Sequence, residues 1–138
     1  MDRTQFAGEF KLDKCELISS TGVSADISAI VAEINIFESI FKTALTGSVV
    51  ITDTNNLVDN MPIIGQEFLS LKISTPGLAN KDLAYDFTEN VFCVYELGGR
   101  TPSTPNSEVI ELKICSPELL KNHRVRVSKA YEETVDKI

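Results

Sequence analysis

Tryptophan is absent from the 138 residues, histidine occurs once, and cysteine occurs three times without a CxxC pair. Each scarcity removes a class of function. With no Trp and three Tyr, the chain has little to build the aromatic platforms on which sugar rings stack. The single His123 stands in "KNHRVRV" between Asn122 and Arg124. It reads as a surface histidine near the start of a strand; a general base or pH sensor is the sharper alternative. A Cys–His nucleophile requires spatial neighbours that spacing does not reveal. Cys15, Cys93 and Cys115 lie far apart in apolar runs and read as reduced, mostly buried thiols of a cytosolic protein. One histidine and three scattered cysteines make no zinc pattern.

Basic residues are also short, 13 against 20 acidic, for a net charge of −7. That balance repels phosphate backbones and anionic membrane surfaces, so neither sequence-specific nucleic-acid binding nor membrane association is expected. No apolar run approaches the roughly 18 residues of a membrane-spanning helix. Met1 is followed by Asp2, Arg3 and Thr4, with no apolar leader core. "GLANKD" and "GGRTPST" match neither GxxxxGK[ST] nor GxGxxG. "DTNNLVD" has the carboxylates and amides of a calcium loop, but lacks its central Gly and has Ile64 at the twelfth position. Asp53 and Asn55 therefore read as turn or cap residues. Glu38 and Glu67 are candidates for the paired carboxylates of a glycosidase, but nothing in the sequence fixes their separation, and both read as exposed positions on alternating strands. No enzyme activity, cofactor or metal site is expected.

What the sequence does contain is β-strand patterning in a chain of single-domain length. Strands are expected over Glu9–Ser19, with a phase slip at Asp13–Lys14 that reads as a bulge, over Ser24–Phe41, and over the β-branched Thr46–Thr54. Asn55–Met61 fits one short helical turn. Strands follow over Glu67–Thr75, Asp86–Gly98 and Ser107–Ser116. Leu69, Leu71 and Ile73 share one face, as do Ile110, Leu112 and Ile114. Pro62 and Gly65 precede the Glu67–Thr75 strand and predict a bend where the chain joins a barrel wall. Thr75–Tyr85 and Gly98–Ser107 are rich in turn formers and read as exposed loops.

Toward the end, Ser116 is a candidate N-cap with Pro117 at the first helical position. "RVRVS" reads as a short strand with Arg124 and Arg126 on one face. These two arginines are either a solvated face or a subunit-contact stripe that meets acidic residues of a neighbouring copy. From Ser128, Tyr131, Val135 and Ile138 form an i, i+4, i+7 stripe, one apolar helix face and a further candidate contact. The stripe is still open at Ile138, so the natural chain is expected to continue. The expected layout is an N-terminal arm over 1–8, a β-barrel domain over 9–127, and over 128–138 the start of a helix leading to a downstream domain.

In order, "INIFESIF", "LTGSVVITDTNNL", "PIIGQEFLSLKI", "DFTENVFCVYEL" and "CSPELLKNHRVRVSKAY" resemble the N-terminal domain of the baseplate central hub protein of contractile-tailed bacteriophages. The resemblance covers roughly Phe10 to Tyr131. It implies a tail-tube-like antiparallel β-barrel or sandwich with one or two short helices. It implies a virion structural component in the tail baseplate, assembled in the host bacterial cytoplasm. Trimers carrying two such domains per subunit would form a pseudo-hexameric ring joining the tail tube protein to the central spike protein. An acidic ring would suit the passage of DNA, since like charge avoids sticking. The alternatives are a ligand- or carbohydrate-binding β-sandwich and the equivalent domain of a contractile secretion-system spike protein.

Overall fold

The computed structural model describes residues 10–54, 56–61, 63–75, 83–126, 128 and 130. The chain is mainly β, an antiparallel seven-stranded sheet curled into a half-barrel. Its strands are β1 (Lys11–Ile18), β2 (Ser24–Asp26), β3 (Val31–Phe37), β4 (Thr46–Asp53), β5 (Phe68–Thr75), β6 (Leu83–Thr104) and β7 (Ser107–Cys115). Helix α1 (Leu57–Asn60) is one turn between β4 and β5, and α2 (Pro117–Arg124) follows β7. The order across the sheet is β2-β1-β5-β6-β7-β4-β3.

β2 and β3 are consecutive in the chain yet occupy opposite edges of the sheet. Only Ile27–Ile30 separates them, and the five steps from Asp26 to Val31 reach at most about 18 Å. The edges must therefore curl toward each other. Two backbone bonds fasten the corner between them. Ile27 N–H donates to Cys15 O on β1 at 2.9 Å, and Thr52 N–H on β4 donates to Ile30 O at 2.8 Å. Ser28 Oγ adds a third, accepting the Cys15 N–H at 3.0 Å. A covalent corner thus bridges the gap of the half-barrel.

Curling brings the apolar faces of the strands together. Cys15 and Leu17, Val49 and Ile51, Leu69 and Leu71, Phe92 and Val94, and Ile110, Leu112 and Ile114 form one buried cluster. Each comes from alternate positions of a strand, as a period of two demands. Met61 and Ile63, on the link from β4 to β5, join the same cluster. The opposite face carries cross-strand ion pairs, Lys72–Asp86 at 2.8 Å and Lys113–Glu96 at 2.7 Å.

The expected antiparallel β architecture, the helical turn and the break in β1 are present. The register of β1 against β5 shifts between Leu12 and Lys14. Other expectations need correction. Ser24–Phe41 is two strands with a corner between them. Gly98–Ser107 is not a loop: β6 runs on through Thr104, and only Pro105–Asn106 turns before β7. Irregularities between Leu97 and Arg100 and between Pro102 and Thr104 absorb the glycines and Pro102 without ending the strand. "RVRVS" does not open as a strand, because α2 continues through Arg124. Pro62 and the arm over 1–8 lie outside the described residues, as do 76–82 of the expected Thr75–Tyr85 loop.

Candidate functional site

Of the residues singled out at the C-terminal end, the structure describes Arg124 and Arg126. Arg124 sits in the last turn of α2 with Lys121 and His123, and Arg126 follows the helix, exposed. All three basic residues complement the carbonyl end of the helix, while Glu118 lies in its first turn. This is the geometry of a polar surface helix, and the strand expected to set Arg124 and Arg126 on one face does not start at Arg124. Tyr131, Val135 and Ile138 lie outside the described residues. Ser116 occupies the N-cap position, but its side chain makes no cap bond to the helix N–H groups. Its Oγ accepts the Leu45 N–H at 3.1 Å, its own N–H donates to Leu45 O at 2.9 Å, and the same hydroxyl holds the Glu118 carboxyl below its usual range.

Glu38 and Glu67 are not equivalent. Glu38 is exposed beyond the end of β3, whereas Glu67 is buried at 1% exposure, against the expectation of a solvent-facing strand position. Both oxygens of Glu67 are taken by the backbone before it. Ile64 N–H donates to Oε1 at 2.7 Å, and Gly65 and Gln66 N–H donate to Oε2 at 2.9 and 3.1 Å. That role is to hold a turn, and both oxygens are occupied in it.

Among the described residues, the most exposed large apolar side chains belong to the connection between β3 and β4. Ile40 is 93% and Phe41 90% exposed, next to Phe37 at 61%. Ser39 shapes this turn: its Oγ accepts the Phe41 N–H at 3.3 Å and its carbonyl accepts the Lys42 N–H at 3.0 Å. A shallow cleft of about 270 Å³ lies alongside, lined by Glu38, Lys42, Leu45, Ser116 and Glu118 among others. Sequence reasoning missed this feature by extending the strand through Phe41. The adjacent apolar pair Ile40–Phe41 breaks strict alternation and was the available signal. Next to it, β3 pairs only with β4, and no other described strand occupies its second backbone edge. At the opposite edge, β2 covers β1 only from Glu16 to Ile18.

A second cleft, of about 320 Å³, lies at the tip of the β6–β7 hairpin. Asp53, Asn56, Arg100, Ser107 and Glu108 line it, and Arg100 is ion-paired with Glu108. Asn56 adopts left-handed backbone (φ 53) and makes no side-chain cap bond. Asp53 is buried at the last position of β4, opposite Glu108. His123 is exposed on α2. Among the described residues no group of three or more His, Cys, Asp or Glu side chains is arranged to hold a metal, and no helix is long and apolar enough to cross a membrane.

Compared with protein-family models and with curated proteins, the chain matches none.

Proposed function

We propose that the chain is a structural assembly module, a tube-like β domain that builds a ring with further copies of itself. The observation that carries this reading is the Phe37–Ile40–Phe41 surface beside the edge of β3 that no other described strand occupies. Exposed apolar side chains, nine-tenths exposed at Ile40 and Phe41, gain about 25 cal/mol per Å² when covered, and an unpaired strand edge is a template for another strand. The two lie together at one rim of the sheet, while the opposite rim offers the uncovered half of β1. A copy-to-copy contact joining these rims repeats head to tail and closes into a ring when the rotation permits.

The more specific reading is the N-terminal domain of a phage baseplate hub, set in the tail between the tail tube and the central spike. It rests on the resemblance described above and on the curled antiparallel architecture that such a domain requires. The net charge of −7 suits a ring that nucleic acid traverses without adhering.

Native mass spectrometry over a concentration series tests the assembly step. Trimers or hexamers of the wild-type chain are expected, and Phe41→Asp is expected to return them to monomer while leaving far-UV circular dichroism unchanged. A wild-type chain that stays monomeric throughout, or oligomers indifferent to Ile40→Asp and Phe41→Asp, would overturn the proposal.

A further inference from the structure

Two of the three thiols have a relationship that the assembly reading does not use. Cys93 on β6 and Cys115 on β7 are directly opposed in the antiparallel ladder. Opposed residues project to the same face, with Cα atoms about 4.5–5.5 Å apart. That separation lies inside the roughly 4.4–6.8 Å span that a disulfide bridges without backbone movement. Both residues are buried, at 6% and 0% exposure, yet neither belongs to the apolar core cluster. Their chain neighbours Phe92, Val94 and Ile114 point into that cluster, so the two thiols lie on the other face of the sheet. Phe68 on β5 and Thr46 on β4 flank them in the same cross-strand row.

Helix α2 packs against β6 on this side. It carries no buried residue, and only Pro117 and Leu119 are half-buried. Burial, and after it the Glu118 carboxylate at the start of the helix, push the Cys93 thiol up. Few apolar contacts hold this cover down, and a helix so held opens locally at low cost. Cys15 is equally buried but placed differently. It is in the core, faces Leu71 across the ladder, and has no cysteine opposite it.

We infer that Cys93 and Cys115 are a disulfide-forming pair, converted to a cross-strand bridge beneath α2 by an oxidant of the small-molecule disulfide class. With oxidised glutathione the step balances as two exchanges. The Cys93 thiol loses its proton to water and its sulfur attacks the glutathione disulfide, forming a mixed disulfide and releasing one glutathione thiolate. The Cys115 thiol then loses its proton and attacks Sγ of Cys93, forming the Sγ–Sγ bond and releasing the second thiolate. The two expelled thiolates take up the two protons. The protein thiols are oxidised and the glutathione disulfide is reduced. Cys93 goes first because it is the less enclosed of the two. Burial pushes both thiols up, Cys115 to about 11, so the order of attack rests on exposure, 6% at Cys93 against 0% at Cys115.

The test incubates the native full chain with oxidised glutathione, blocks remaining thiols by alkylation after denaturation, and maps peptides by mass spectrometry. The expected product is a chain lighter by two hydrogens before alkylation, with Cys93 linked to Cys115 and Cys15 taking up the alkyl group. Cys115→Ser is expected to lose the bridge and retain glutathione on Cys93. Three results would each overturn the inference: glutathione adducts alone on the wild-type chain, a bridge that includes Cys15, or no reaction of the native chain under conditions that oxidise it in urea.

Discussion

Glu67 holds the turn that contains Gly65 through a carboxylate-to-backbone bond. Oε2 accepts the Gly65 N–H at 2.9 Å while Gly65 sits at φ +83, a conformation that other residues adopt only with strain. Two further N–H groups, of Ile64 and Gln66, point at the same carboxylate. One side chain thereby satisfies three consecutive backbone donors just before β5. Its own carbonyl accepts the Val94 N–H at 2.8 Å, fixing the turn to β6.

Replacing Glu67 with Gln keeps the shape but leaves a single side-chain acceptor oxygen and sets an amide N–H₂ against a backbone donor. At least one of these partly buried N–H groups loses its partner, which costs about 1–3 kcal/mol. Glu67→Ala orphans all three and is expected to cost more. Urea denaturation of both variants checks this. If Glu67→Ala matched wild type in midpoint, the carboxylate would have no structural role.

A second prediction concerns the edge of the sheet. A Cβ placed on Gly47 would lie 2.2 Å from the Asn35 carbonyl oxygen and 3.3 Å from a Ile114 side-chain carbon. Gly47 and Asn35 belong to adjacent strands, and Asn35 lies directly opposite Ser48. Gly47→Ala therefore forces β3 away from β4, at a cost of about 1–3 kcal/mol or more, as for other overpacked sites. Hydrogen exchange should show protection lost in β3 and retained in β5. Uniform loss across both strands, or none, would contradict this account.

These two positions also mark how far the sequence could be read. The alternation of Leu69 with Leu71, and of Ile110 with Leu112 and Ile114, located the core because a strand's period is a local property. The break at Asp13–Lys14 was legible for the same reason. Glu67 was not: a carboxylate in an alternating run has the pattern of a solvent position, and only the folded turn supplies three donors to it. Gly98 and Gly99 read as loop residues, yet β7 pairs alongside and carries β6 through them with a register shift. At Arg124 the helix start at Ser116–Pro117 was readable, but its length was not. Polar residues alone extend α2 over Asn122 and His123, leaving no apolar period to count. The opposition of Cys93 and Cys115 depends on register between strands, which no single-strand pattern contains.

A third prediction is a pH dependence. Asp86 on β6 is opposite Lys72 on β5, with Oδ2 2.8 Å from Nζ. Thr88 donates to Oδ1 through both N–H, at 3.1 Å, and Oγ1, at 2.6 Å. The hydrogen bond from Lys72, followed by those from Thr88, pulls the Asp86 carboxyl down to about 2. In the unfolded chain an aspartate titrates near 3.9. The folded value is the lower one, so between the two values the unfolded chain binds the proton that the folded chain refuses. The stability this cluster contributes is complete above about pH 4 and drains away as the pH falls through about 2. Asp13, Glu16, Asp26 and Glu118 are shifted in the same direction, so the acid limb is shared among several carboxylates. Asp86→Asn removes one member. Its urea midpoint should change less than that of wild type between pH 4 and pH 2, while Asn still accepts one hydrogen bond from Thr88. Parallel pH profiles for the two proteins would show that the Lys72–Asp86 pair contributes nothing to folding. Lys72 supplies the alkaline counterpart: its ammonium is raised above the usual lysine value chiefly by the bond to Asp86. Its contribution is present below the unfolded lysine value and is lost as the pH rises through the raised one, a second limb that Asp86→Asn should flatten as well.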